Sequence, residues 1–109
     1  MDISFYETKE GNSPIAKFID QSPKIDQAVI LAVFSDIESH GLAAKGAIFR
    51  QLDGKLWEIK IKTPGGGYRF LYVLLDKASM MLVHAFKKKT QKTPLKELDL
   101  ARKRVAEIL

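Results

Sequence analysis

Cysteine is absent from this sequence, and histidine occurs only as His40 and His84. Without cysteine there is neither a disulfide nor a thiolate nucleophile. A zinc site would have to rest on two isolated histidines and carboxylates, so no structural metal and no cofactor is expected. The longest uninterrupted apolar run, Ala28–Phe34, falls far short of the roughly 20 residues that a spanning helix needs, and no membrane contact is expected. The opening Met1-Asp2-Ile3-Ser4-Phe5 lacks a basic stretch followed by an apolar one, so a secretory signal is not expected and the cytoplasm is the default compartment. Internal repeats, low-complexity tracts and linkers are lacking too. What remains is 109 residues, 46% hydrophobic and 28% charged: one domain over 1–109, large enough to bury a core without a staple.

Positive charge is scarce in the first half and concentrated in the second. Through Gly54 five Lys/Arg stand against eight Asp/Glu, and from Lys55 onward thirteen stand against five. The net charge of +5 therefore comes entirely from the second half. A concentrated basic field attracts polyanions and speeds their encounter, which makes nucleic acid the first partner class to consider. A solvated lysine face kept for solubility is the bland alternative.

Periodicity predicts an α+β fold. Ile3 and Phe5 alternate with Ser4 as a short first strand, followed by a loop at Glu10-Gly11-Asn12. Ser13-Pro14, Ser22-Pro23 and Thr93-Pro94 each offer a hydroxyl N-cap followed by proline at the first helical position. The first opens a helix to about Asp20. The second runs to His40 with Ile25, Val29, Val33 and Ile37 in one row, and Gly41 ends it. The third runs toward Leu109 with Leu98, Ala101, Val105 and Ile108 on one face, and Asp99 to Lys103 as an i, i+4 pair. Between the last two helices the period becomes two. Trp57, Ile59 and Ile61 are expected in the core, with Glu58, Lys60 and Lys62 on the opposite face. Thr63-Pro64-Gly65-Gly66-Gly67 reads as a mobile turn, Tyr68–Leu75 as a central strand, and Asp76-Lys77 as the turn into Met80–Phe86. The result is an antiparallel β-meander bracketed by helices.

If the hairpin register sets Lys60 or Lys62 opposite Arg69, cations and one carboxylate share a patch. Like charges held side by side repel, so such a cluster makes sense around an anion such as a phosphate. Lys87, Lys88, Lys89, Gln91 and Lys92 leave the sheet nearby and extend the nucleic-acid-binding candidates. His84 reads as a packed strand residue, His40 as a helix end, Trp57 as core, and Tyr68 and Tyr72 as packing partners on a shared face.

The series Leu56-Trp57-Glu58-Ile59-Lys60, Gly67-Tyr68-Arg69-Phe70-Leu71-Tyr72 and Leu82-Val83-His84-Ala85-Phe86-Lys87-Lys88-Lys89-Thr90-Gln91-Lys92-Thr93-Pro94, with Ala101-Arg102, resembles the phage-derived branch of HigB-like toxins in the RelE/ParE superfamily. The resemblance implies a RelE-like fold and a type II toxin that cleaves mRNA, typically on the ribosome, without metal. It implies a HigA-like helix-turn-helix antitoxin as partner, with DNA touched only through that antitoxin. Matched position by position, Lys60, Arg69 and Lys88 fall on cationic active-site positions. Glu58 departs from the pattern, which has lysine there, and stands as a base, a pairing partner for lysine or a bystander. No tyrosine follows Pro94 to serve as RelE-type enzymes use one. The same scaffold carries ParE-like gyrase poisons, and a basic nucleic-acid-binding regulator is the third class; a neighbouring helix-turn-helix reading frame favours either toxin over the regulator.

Overall fold

The computed structural model describes residues 1–89 and 92–109. Its elements run β1 (Asp2–Phe5), α1 (Pro14–Asp20), α2 (Lys24–His40), a 3-10 turn (Gly41–Ala43), β2 (Ile48–Asp53), β3 (Leu56–Thr63), β4 (Gly66–Asp76), β5 (Ser79–Lys87) and α3 (Leu95–Ile108). The fold is the expected α+β arrangement, in one sheet of order β1-β5-β4-β3-β2. Strands β2 to β5 form an antiparallel meander, and β1 returns to pair in parallel with β5. Among the described residues no helix is long and apolar enough to cross a membrane.

Two differences from the pattern reading concern the sheet. Strand β2 is additional to the meander expected between the helices. Ile48 and Arg50 are exposed while Phe49 and Leu52 are partly covered, so the segment lacks the clean alternation that marks a half-buried strand. The parallel β1–β5 pairing, with Ile3 opposite Met80, depends on a crossover that local periodicity does not encode.

Both faces of the sheet are covered, unequally. Helices α1 and α2 pack on the face carrying Ile59, Phe70 and Tyr72, each with no exposed surface. There Phe34 meets Phe70 edge to face at 5.1 Å, and Phe18 meets Phe70 at 6.1 Å, the geometry aromatic quadrupoles prefer. The face that α2 buries is Ile30, Val33, Phe34 and Ile37, and at its N-terminal end Asp26 is inside while Ile25 is 59% exposed. The expected row from Ile25 is therefore rotated. The displaced place is held by the Asp26 carboxylate, which accepts from Tyr68 Oη at 2.6 Å and from Gly65 N at 3.0 Å. These bonds hold its pKa below the usual carboxylate range, the Tyr68 bond contributing most. They also pin the glycine-rich turn expected to be mobile. A side chain at Gly65 would place Cβ 2.1 Å from Asp26 Oδ2, so only glycine fits.

Caps follow the expectation in one case of three. Ser13 Oγ accepts from Ala16 N at 3.2 Å with Pro14 opening the helix. Ser22 and Thr93 are not caps, because Pro23 and Pro94 occupy those positions themselves. Ser22 Oγ donates to the Phe18 carbonyl, and Thr93 is used elsewhere. Gly41 ends α2 at φ 60° as expected. On the second face of the sheet α3 is docked through Ala101, which is fully buried, with Leu98, Val105 and Ile108 partly buried around it. Asp99 pairs with Arg102 at 3.0 Å instead of Lys103, and Arg102 also holds Asp53 at 2.7 Å.

Candidate functional site

The second face of the sheet is read most simply in rows running across the strands. In one row Arg50 is opposite Glu58, Glu58 opposite Leu71, and Leu71 opposite His84. In the next, Ile48 is opposite Lys60, Lys60 opposite Arg69, and Arg69 opposite Phe86. Beyond it Lys62 faces Gly67, whose carbonyl accepts from Lys88 N at 2.7 Å. Directly opposed side chains in an antiparallel pair stand roughly 5 Å apart. The register thus brings Lys60 to Arg69, as the charge-clustering argument required. Lys60, Lys62, Arg69 and Lys88, with Lys45, Gly46, Ala47 and Ile48 as the far wall, line a cavity of about 570 Å³.

Helix α3 lies over the His84 end of the first row, and the open groove lined by Ile48, Lys60, Lys62 and Lys88 lies beyond it. His84 lies beneath the helix, its Nε2 2.9 Å from Glu97 Oε1 and its Nδ1 3.2 Å from Arg104 Nη1. Arg104 can only donate, so Nδ1 accepts and Nε2–H donates to Glu97: a neutral tautomer. Burial pushes the His84 pKa down, against the pull of Glu97. His84 is a packed residue, stacked on Phe86 at 5.8 Å.

Arg69 forms the floor of the open groove and Glu58 lies next to it under the chain at Thr93, and neither has exposed surface. Thr93 Oγ1 donates to Glu58 Oε2 at 2.7 Å, Arg69 Nη1 approaches the same oxygen at 3.4 Å, and Arg50 Nη2 lies 3.4 Å from Oε1. One carboxylate thus faces two arginines, and the trio keeps a net positive charge. This departs from the expectation that Glu58 shares an open face with Lys60 and Lys62, and the cause is the chain at Thr93 closing over it. Lys60 is half-buried, and its ammonium pKa is lowered, first by burial and then by Arg50 and Arg69, with Glu58 opposing.

Other sequence candidates lie apart from this groove. Lys87 is on the opposite face, its ammonium 5.7 Å from the centre of the Tyr68 ring. Lys89 and Lys92 are exposed beyond β5. Gln91 lies outside the described residues. Two wall residues, Lys45 and Ile48, gave no signal in the sequence, nor did Arg50, which pairs with Glu58 beside the groove. Asp36, behind the wall, gave none either, and it accepts from the amides of Lys45 and Gly46 at 3.0 and 3.3 Å while meeting His40 Nδ1 at 2.8 Å. These bonds hold the Asp36 pKa low, the Gly46 amide contributing most. Thr93 carried a signal, but one that reads equally well as a helix cap.

Chemically, the groove gathers Lys60, Lys62 and Lys88 beside one carboxylate that faces two arginines, so an incoming anion meets an excess of positive charge. The family model described as phage-derived protein, Gp49-like, matches residues 17–106. No curated protein matches the chain.

Proposed function

The chain belongs to the Gp49-like family of phage-derived proteins, a toxin-like family of toxin–antitoxin systems, and from that premise we propose that it is a type II toxin of the HigB branch that cuts mRNA without a metal ion. The observation that carries this reading is the groove in which Lys60, Arg69, Lys62 and Lys88 converge. Internal cleavage of RNA requires the 2′-hydroxyl to lose its proton and attack phosphorus in line, while the P–O5′ bond breaks and O5′ gains a proton. Lys60, its pKa lowered by burial and cationic neighbours, is the base. Lys88 is the acid. Lys62 holds phosphate, and Arg69, kept in place by Glu58, supplies positive potential from the floor. Glu58 then acts as a positioning residue, because Oε2 accepts from Thr93 and Arg69 and Oε1 lies 3.4 Å from Arg50, beneath the groove and without exposed surface.

The partners that go with this reading are mRNA and the ribosome in the cytoplasm, and a HigA-like helix-turn-helix antitoxin through which alone DNA is contacted. The test is induced expression followed by mapping of mRNA 5′ ends, with protein dialysed against a chelator and then added to ribosomes in Mg2+ buffer as the second arm. New 5′ ends that vanish in Lys60→Met, and cleavage at full rate by the chelator-treated protein, are expected. Growth arrest with intact mRNA and inhibited gyrase would instead make the protein a ParE-like poison.

A further inference from the structure

Ile48 stands in the middle of the cationic wall and is 65% exposed. An apolar, β-branched side chain that open is of no use to the core; around the groove it stands with Ala47 as an apolar surface, facing the cations Lys60, Lys62 and Lys88. Its position is set from two sides. The register fixes it opposite Lys60, and Asp36 pins the preceding turn by accepting from the Lys45 and Gly46 amides. The row Ile48, Lys60, Arg69 thus runs from an apolar surface to two cations in steps of roughly 5 Å, one strand spacing each. A ligand that fits this sequence of surfaces is amphipathic in the same order, with a flat apolar body at one end and a negative charge at the other.

Resting on the reading of the groove as a phosphate site, we propose that Ile48, with Ala47 beside it, is the platform for a nucleobase of the strand whose phosphate lies over Lys60 and Lys88, so that the groove takes single-stranded, unstacked RNA. A base inside a duplex has both faces covered by its neighbours and offers none to a protein, whereas a splayed base can lay one face on an apolar surface while its phosphate meets the cations. The apolar wall therefore selects for strand state, and the cations do not. Since an aliphatic surface contacts a base without reading its hydrogen-bonding edge, the platform discriminates weakly between the four bases.

The test measures binding to the purified full chain by anisotropy, using a labelled RNA hexamer made uncleavable by 2′-O-methyl groups, the same strand carrying abasic sites, and tripolyphosphate as competitor. Ile48→Ser, whose exposed position leaves the core untouched, should weaken the hexamer by roughly 5-fold or more while the abasic strand and tripolyphosphate bind as before. Ile48→Phe should restore or tighten hexamer binding. Equal weakening of hexamer and tripolyphosphate, or no change in the hexamer, would overturn the platform and leave the phosphate site standing. If the wild-type chain bound neither hexamer nor tripolyphosphate, the groove reading itself would fall. Loss of helix-turn-helix partner binding in Ile48→Ser with hexamer binding intact would make Ile48 part of a protein interface and refute the proposal.

Discussion

Replacing Glu58 by glutamine keeps the volume of the side chain and an oxygen for Thr93 to donate to, while removing the charge that Arg50 and Arg69 share. Breaking one partner out of a buried ion pair costs about 3–5 kcal/mol. The contacts here decide where in that range the loss should fall. Both arginine contacts are long, 3.4 Å, and Arg50 is partly exposed, so the short bond is the one from Thr93 at 2.7 Å, which glutamine preserves. The expected loss is therefore at the low end, about 3 kcal/mol, mostly from leaving the Arg69 guanidinium without its carboxylate. For a domain of this size that lowers Tm by about 10–15 °C. Urea unfolding followed through the fluorescence of Trp57, the single tryptophan, which packs partly buried against the core, gives the number directly. A Glu58→Leu, Arg69→Met double variant supplies the control, since replacing both members of a buried pair with apolar groups is near neutral, and it should recover most of the loss. A Glu58→Gln loss under about 1 kcal/mol, or a double variant no better than the sum of the two singles, would refute the coupling described here.

Other outcomes follow from the same geometry. The pKa of His84 is lowered from 6.5 by folding, so in the window below that value the unfolded chain binds more protons, and stability should fall as pH drops through it; thermal melting from pH 7.5 to 5 should show this, and His84→Gln should flatten the dependence. Lys88 lines the groove while Lys87 lies over Tyr68 on the other face, so in RNA binding measured against salt Lys88→Ala should reduce the log–log slope by about 0.7 to 0.9 and Lys87→Ala should leave it unchanged. An equal effect of the two would move RNA to a surface both share. Gly65→Ala would set Cβ 2.1 Å from a carboxylate oxygen already fixed by Tyr68, and should cost about 1–3 kcal/mol in chemical denaturation; a neutral result would show that Asp26 can move away freely.

Elements whose residues carry their own instruction were legible in the sequence. Ser13-Pro14 specified a cap and a first turn, Gly41 an ending, and the two-residue period from Trp57 to Lys62 a strand, because each rests on contacts within a few positions. Where long-range contacts decide, the local reading gave way. Asp26 displaced Ile25 from the buried face of α2 because Tyr68 and the Gly65 amide, some forty positions away, offered the carboxylate two donors. Thr93 left the cap position for the same reason, having found Glu58 across the sheet. A polar side chain near a helix start has several uses, and only the folded neighbourhood selects among them.

The candidate site was half legible for a geometric cause. Alternation along β3 correctly separates the apolar face from the charged one, but it treats the charged face as uniform along its length. Strand β4 has eleven residues, whose ten steps of roughly 3.2 Å extend at most about 32 Å, whereas the fourteen residues of α3 make a helix about 21 Å long. One such helix cannot cover that face from end to end. Under α3 the face behaves as core, with Ala101 and Leu71 fully buried and His84 held neutral. Beyond Thr93 it opens and the side chains become lysine. Glu58 and Arg69 fall at the boundary, where a charge is covered yet adjacent to charges that are not. A buried carboxylate at that place can hold a buried arginine, and the arginine then projects its field into the open half without desolvating any further group. The length mismatch between one helix and the sheet thus leaves a cationic surface resting on a rigid core, the arrangement that a site acting through fixed charge needs.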